Sequence, residues 1–168
     1  MDLNKNFWRN KRVFLTGFTG FKGAWATLIL NKLGAEVFGF SLKPDTNPNL
    51  FEIFKLKKII NYKISDIRNF KSLKKEIINF QPDIILHFAS KALVRYSYHN
   101  PVETYSTNVM GLLNLFEASR LLNKKNTILN VTSDKCYFNN QKKKQFLKRV
   151  IHLGVMISIV HLKHVQKF

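Results

Sequence analysis

Three glycines spaced three apart, in Thr16-Gly17-Phe18-Thr19-Gly20-Phe21-Lys22-Gly23, are the residues here whose type and spacing suit them to chemistry. Phosphate is the group they suit. Gly17 would allow a sharp turn, Gly20 would let backbone N–H groups close on a phosphate, and Gly23 would let a following helix lie tight against a sheet. A diphosphate would then sit at the helix N-terminus, where unpaired N–H groups and the helix dipole favour negative charge. The pattern is G-x-x-G-x-x-G, one residue longer at its first step than the older dinucleotide fingerprint. Its meaning depends on what flanks it: the apolar run Val13-Phe14-Leu15 before it predicts a strand, and the apolar spacing from Ala24 to Leu33 predicts a helix.

Composition bounds the rest. At 168 residues the chain is long enough for one domain with a real core, and its 45% hydrophobic content with 15 Phe excludes disorder. The single Cys136 excludes a disulfide framework. The N-terminus shows no signal-peptide pattern and no apolar run reaches membrane-spanning length, which leads to the expectation of a cytoplasmic protein with no membrane partner. The net charge of +18 would suit nucleic acid, yet its distribution weakens that reading. Residues 141–168 carry 7 Lys+Arg and no acid, while residues 1–140 hold the other 21 with all 10 acids. Lys55, Lys57, Lys58, Lys71, Lys74 and Lys75 look like solvated faces, so no nucleic-acid partner is expected, and no metal site.

Strands are predicted over 11–16, 35–40, 59–65, 84–88 and 127–131, with helices over 22–33, 70–80 and 102–122 and a short helix or turn over 50–56. Gly34 takes the position just past the first helix. The near-continuous apolar run Ile84-Ile85-Leu86-His87-Phe88 suits a strand buried on both faces. Strands alternating with helices imply an α/β fold, a Rossmann-type doubly wound parallel sheet of about five strands, with its ligand crevice at the carboxyl ends of the strands. The second strand runs into Ser41-Leu42-Lys43-Pro44-Asp45, so no carboxylate stands at its end for a ribose, and the choice of NAD or NADP stays open. Asp66, His87 and Asn108 each have a plain structural use, as helix cap, core histidine and backbone partner. As a set on one sheet edge they favour a site.

The stretches FWRNKRVFLTGFTGFKGAW, SDIRNF, QPDIILHFAS, LVRYSYHNPVETYSTNVMG and NVTSDKCY carry a resemblance. The chain resembles the extended short-chain dehydrogenase/reductases and, among them, the nucleotide-sugar 4,6-dehydratases of the CDP-glucose subgroup, over residues 7 to about 137. The resemblance implies NAD as cofactor and CDP-glucose as substrate of the intact family, in lyase chemistry that serves deoxysugar and surface-polysaccharide synthesis. Hydride passes from sugar C4 to NAD, water is eliminated across C5 and C6, and the hydride returns to C6. It also implies that Gly17, Phe18, Thr19, Gly20, Phe21, Lys22 and Gly23 cradle the diphosphate. Asp66 and Ile67 would then meet the adenine, and Ala89 and Ser90 would line the nicotinamide half. Ser133 would hydrogen-bond the C4 oxygen, Asp134 would protonate the leaving C6 hydroxyl, and Lys135 would act as base or orient the 4-keto oxygen. The chain departs from the pattern at Ser90 and Lys91, where the family has alanine and glutamine.

The family also needs a Tyr-x-x-x-Lys pair, and none follows Tyr137. One allowed codon spelling of Phe146 to Phe168, read from the third base, gives FKESDPFGGYDLYSSSKACSEI, which resembles the family's continuation. The missing Tyr is then encoded across Ser158 and Ile159, and the Lys across Leu162 and Lys163. Residues 1–140 are therefore expected to be a partial NAD-binding domain without its substrate domain. Residues 141–168 are expected to be an out-of-frame tail, shifted near the A-rich codons of Lys142-Lys143-Lys144, and the chain by itself is expected to be inactive. The alternative for the tail is a genuine edge strand or docking segment. The alternatives for the whole chain are a non-catalytic NAD-binding module and, less favoured, a basic nucleic-acid binder.

Overall fold

A computed structural model describes residues 4–132; Ser133, Asp134, Lys135 and the tail lie outside the described residues. The described part falls into two compact units, residues 4–89 with 111–131, and residues 90–110 with Thr132.

The first unit begins with a short helix α1 (Lys5–Trp8), then β1 (Arg12–Thr16), α2 (Phe21–Lys32), β2 (Glu36–Ser41) and α3 (Leu50–Ile53). A 3-10 turn at Leu56–Lys58 leads into β3 (Asn61–Ile64), α4 (Phe70–Phe80) and β4 (Ile84–His87). The second unit holds α5 (Val94–His99), α6 (Pro101–Tyr105) and a π segment at Ser106–Met110. The chain returns to the first unit through α7 (Gly111–Arg120) and β5 (Thr127–Asn130). Residues 101–120 are helical throughout, as expected over 102–122, but residues 106–110 take the wider π spacing inside that helix. Inside the second unit the buried Asn108 gives its amide to both backbone polar groups of Lys91, at 2.8 and 3.2 Å. Helical periodicity alone does not reveal such a widening, and α5 was not foreseen at all.

The five strands are all parallel in the order β3-β2-β1-β4-β5, a doubly wound sheet whose order reverses between β1 and β4. β1 is the central strand, and its alternation serves two cores at once. Val13 and Leu15 join Val37, Leu86, Ala24 and Leu30 of α2 on one face. Phe14 joins Phe40, Ile85, Leu73, Ile77 and Phe80 of α4, and Leu112, Leu115 and Ala118 of α7, on the other. Each such fully buried side chain stabilises the fold by roughly 1.5–3 kcal/mol relative to exposure.

Local signals set the ends of the helices. Asn69 caps α4 by accepting from Ser72 N–H at 3.1 Å, a role that Asp66 had been expected to fill. Gly34, at φ +86, follows the last residues of α2. At the amino edge of the sheet the Asp83 carboxylate accepts Arg12 N–H at 2.8 Å and the Lys124 ammonium at 2.9 Å. These bonds, Arg12 first, hold its pKa below the ordinary 3.8. Asp83 therefore stabilises the fold above that ordinary value, and the contribution disappears as pH falls through the lowered one.

Candidate functional site

The turn from β1 into α2 lies at the carboxyl edge of the sheet, beside the switch between β1 and β4. Register aligns Thr16 with Phe40 on β2 and with His87 on β4, and His87 with Asn130 on β5. The Thr16 hydroxyl lies 2.7 Å from His87 Nδ1 and accepts Ala89 N–H at 3.3 Å, so the first and fourth strands are tied where the crevice opens. His87 is thus a buried, bonded residue, in line with the structural use foreseen for it. Both amide atoms of Asn130 are buried with no hydrogen-bond partner among the described residues. That leaves a polar orphan at the same edge.

The three glycines divide by what their surroundings demand. Gly17 has φ +74, and a Cβ there would stand 2.7 Å from Ala89 N, so the turn fits against the end of β4 only without a side chain. A Cβ on Gly23 would lie 2.1 Å from Gly17 O and 2.7 Å from Phe18 Cα. At Gly23 the first turn of α2 therefore also rests on the backbone of the loop, while its Ala24 packs on the sheet with Val13 and Leu15. Gly20 is different. Its φ is −76, an ordinary value, and its Cβ would meet only Gly17 O, at the ordinary contact distance of 3.5 Å. Gly20 is also exposed, and nothing in the protein's own packing requires a glycine there.

Gly20 is the N-cap of α2, with no side-chain hydrogen bond to the helix end. The first N–H groups of a helix have no partner inside it and carry the positive end of its dipole. The first turn holds no acid, and the exposed Lys22 adds a positive charge. Backbone donors, dipole and lysine are the elements with which a helix end would hold an anion.

The other expected site residues are placed unevenly. Phe18 is fully buried, packed edge-on against Phe51 at 5.6 Å, so its side chain serves the core and only its backbone belongs to the turn. Thr19 is buried and bonded to the end of β2, while Phe21 is 73% exposed at the mouth of the turn. Asp66 accepts Arg68 N–H at 2.8 Å and the Arg68 guanidinium at 2.6–3.0 Å, so a ligand there would share its carboxylate with Arg68. The Ile67 side chain is buried, and a Cβ on Gly111 of α7 would strike its Cγ2 at 2.6 Å, which leaves only the Ile67 backbone for an adenine. Ala89 stands with its backbone against Gly17. Ser90 belongs to the second unit, where it is half-buried.

In that second unit Lys91 Nζ pairs with Glu103 at 3.1 Å and lies 4.9 Å over the Tyr96 ring. The Tyr96 hydroxyl donates to Glu103, and this bond pushes its pKa above the ordinary 10.0. The Tyr96 hydroxyl thus serves Glu103 and its ionisation is disfavoured. Among the described residues no cluster of His, Cys, Asp and Glu could hold a metal ion, and no helix is long and apolar enough to cross a membrane.

Residues 14–150 match the family model described as GDP-mannose 4,6 dehydratase. The chain belongs to this dehydratase family. Its relatives include a CDP-glucose 4,6-dehydratase of Salmonella typhimurium, 48% identical over 139 residues, which cover 83% of this chain and 39% of that protein. Protein CapI of Staphylococcus aureus is 30% identical over 79% of this chain and 40% of its own length. This member of the dehydratase family thus spans about two fifths of those relatives. Among solved structures, a UDP-glucose 4-epimerase from Stenotrophomonas maltophila with bound NAD superposes with a TM-score of 0.82 at 20% identity, over 94% of this chain and 47% of that one. The Brucella ovis UDP-glucose 4-epimerase in complex with NAD gives 0.79 at 19% identity, over 94% and 46%. These likenesses show that the dehydratase-family chain has the Rossmann-like fold.

Proposed function

We propose that this chain is the cofactor-binding part of a nucleotide-sugar 4,6-dehydratase acting on CDP-glucose, and that its glycine turn holds the diphosphate of NAD. The observation that carries the cofactor reading is Gly20. Neither its φ nor the packing around it calls for glycine, so the missing side chain makes room for something outside the protein at a positive, uncapped helix end. The substrate reading rests on the 48% identity to the Salmonella CDP-glucose enzyme.

NAD, when bound, supplies the acceptor and donor of the hydride. The chain's own residues supply part of the rest, the Tyr-x-x-x-Lys pair that would take the C4 hydroxyl proton being absent from the written sequence. Backbone N–H groups of the turn and Lys22 bind the diphosphate, Asp66 and the Ile67 backbone meet the adenine, and Ala89 and Ser90 line the nicotinamide half. Ser133 hydrogen-bonds the C4 oxygen. Oxidation at C4 acidifies the C5 proton, which Lys135 removes or assists by orienting the 4-keto oxygen, while Asp134 protonates the C6 hydroxyl as it leaves as water.

Calorimetry of the full chain with NAD tests the cofactor reading. Gly20→Ala is expected to weaken NAD binding at least about tenfold while lowering folding stability by only about 1 kcal/mol, the ordinary cost of alanine at an N-cap. Equal NAD affinity in the variant would overturn it.

The same reading assigns residues 141–168 to a shifted frame, because no Tyr-x-x-x-Lys occurs in the written sequence while one is available out of frame. The chain as written then binds cofactor without completing turnover. Resequencing the DNA across the Lys142-Lys143-Lys144 run is expected to give one base more or fewer. An unchanged sequence, confirmed on both strands, would mean that the frame is the organism's own.

A further inference from the structure

Four consecutive residues at the end of β2 each hold the glycine turn. Gly39 leaves the space that the Phe18 ring fills, since a Cβ there would stand 2.7 Å from its Cγ and Cδ1. The Phe40 carbonyl accepts Gly17 N–H at 2.9 Å. Thr19 Oγ1 lies 2.8 Å from Ser41 Oγ and 2.9 Å from the Leu42 carbonyl oxygen.

The hydrogens on this chain of oxygens have only one arrangement. A carbonyl oxygen can only accept, so the single Thr19 hydroxyl proton goes to Leu42. Ser41 must then be the donor to Thr19. Thr19 is 8% exposed and Ser41 9%, which leaves little room for water to compete for either hydroxyl. Thr19 immediately precedes Gly20, the residue that leaves room for the ligand. The hydroxyl at the end of β2, where dinucleotide folds commonly offer a carboxylate to the ribose, is turned back into the phosphate turn.

We propose that Ser41 is a positioning residue for the diphosphate-binding turn, orienting Thr19 and, through it, the Thr19-Gly20 peptide. The proposal rests on the reading that this turn binds NAD, so its test carries a readout that needs no cofactor. In the full chain, Ser41→Ala is expected to speed hydrogen exchange of the Gly20 amide, which bonds Gly17 O at 3.2 Å, by about tenfold. NAD and ADP are expected to bind about tenfold more weakly, adenosine with unchanged affinity, and Ser41→Thr is expected to restore both properties. A merely structural defect would weaken adenosine as much as ADP, and that result would overturn the proposal. Unchanged Gly20 exchange in Ser41→Ala would overturn it whatever the ligands do. If the wild-type chain binds neither NAD nor ADP, the cofactor reading fails, and with it the role of Ser41 toward a diphosphate.

Discussion

Gly23→Ala is expected to lower the folding stability of this chain by about 3 kcal/mol or more and to abolish the NAD binding proposed for the turn. The added Cβ would lie 2.1 Å from Gly17 O, 2.7 Å from Phe18 Cα and 2.8 Å from Gly17 C, all backbone atoms that no rotamer change can clear. Relief requires lifting the first turn of α2 off the loop. That movement spoils the proposed anion site and the packing of Ala24 below it. Overpacking ordinarily costs about 1–3 kcal/mol, and a backbone clash this close belongs at the upper end or beyond. Urea denaturation checks the result, with Gly20→Ala as the control that keeps most of its stability and loses ligand. An unchanged unfolding midpoint for Gly23→Ala would show that the helix does not rest on the turn.

Phe18→Ala is the second large effect, a loss of about 3–5 kcal/mol as for other buried phenylalanines. The ring is fully buried between Gly39, Phe51 and Tyr62, with both ring neighbours 5.6 Å away. Its removal leaves a cavity beneath the turn, because the β2 backbone at Gly39 has no side chain with which to fill it. Phe21→Ala, three residues on, removes a ring that is 73% exposed and is expected to change stability by no more than about 0.5 kcal/mol. Thermal melting of the two variants separates anchor from mouth. Equal, small shifts would mean that the turn is held by its backbone alone.

Much of the scaffold was legible because it depends on local pattern. Leu73, Ile77 and Phe80 recur at helical spacing, and α4 occupies the predicted span. The apolar run at residues 84–88 reads as a strand covered on both faces, and β4 places Leu86 in one core and Ile85 in the other. Gly34 was legible as a helix stop because a positive φ there is a local requirement. The expected long helix is present, but its π segment at Ser106–Met110 was not legible, because the sequence keeps a helical pattern there and only the backbone reveals the wider turn.

The site was legible in outline and not in its roles. Gly17 and the ordering of strand, turn and helix are dictated by residue type and spacing, since only certain residues take a left-handed turn and since apolar periodicity selects each element. Phe18 and Ile67 look like cofactor neighbours in sequence, yet their side chains are core. Ser41 gave no signal, because its partner Thr19 lies 22 residues earlier and comes near only when β2 pairs with β1. The sequence by itself determined a parallel α/β fold with a glycine turn at the carboxyl edge. Tertiary structure alone decided which glycine stands in open space and which hold the backbone together, because the cost of a Cβ depends on the atoms that non-local packing places beside it.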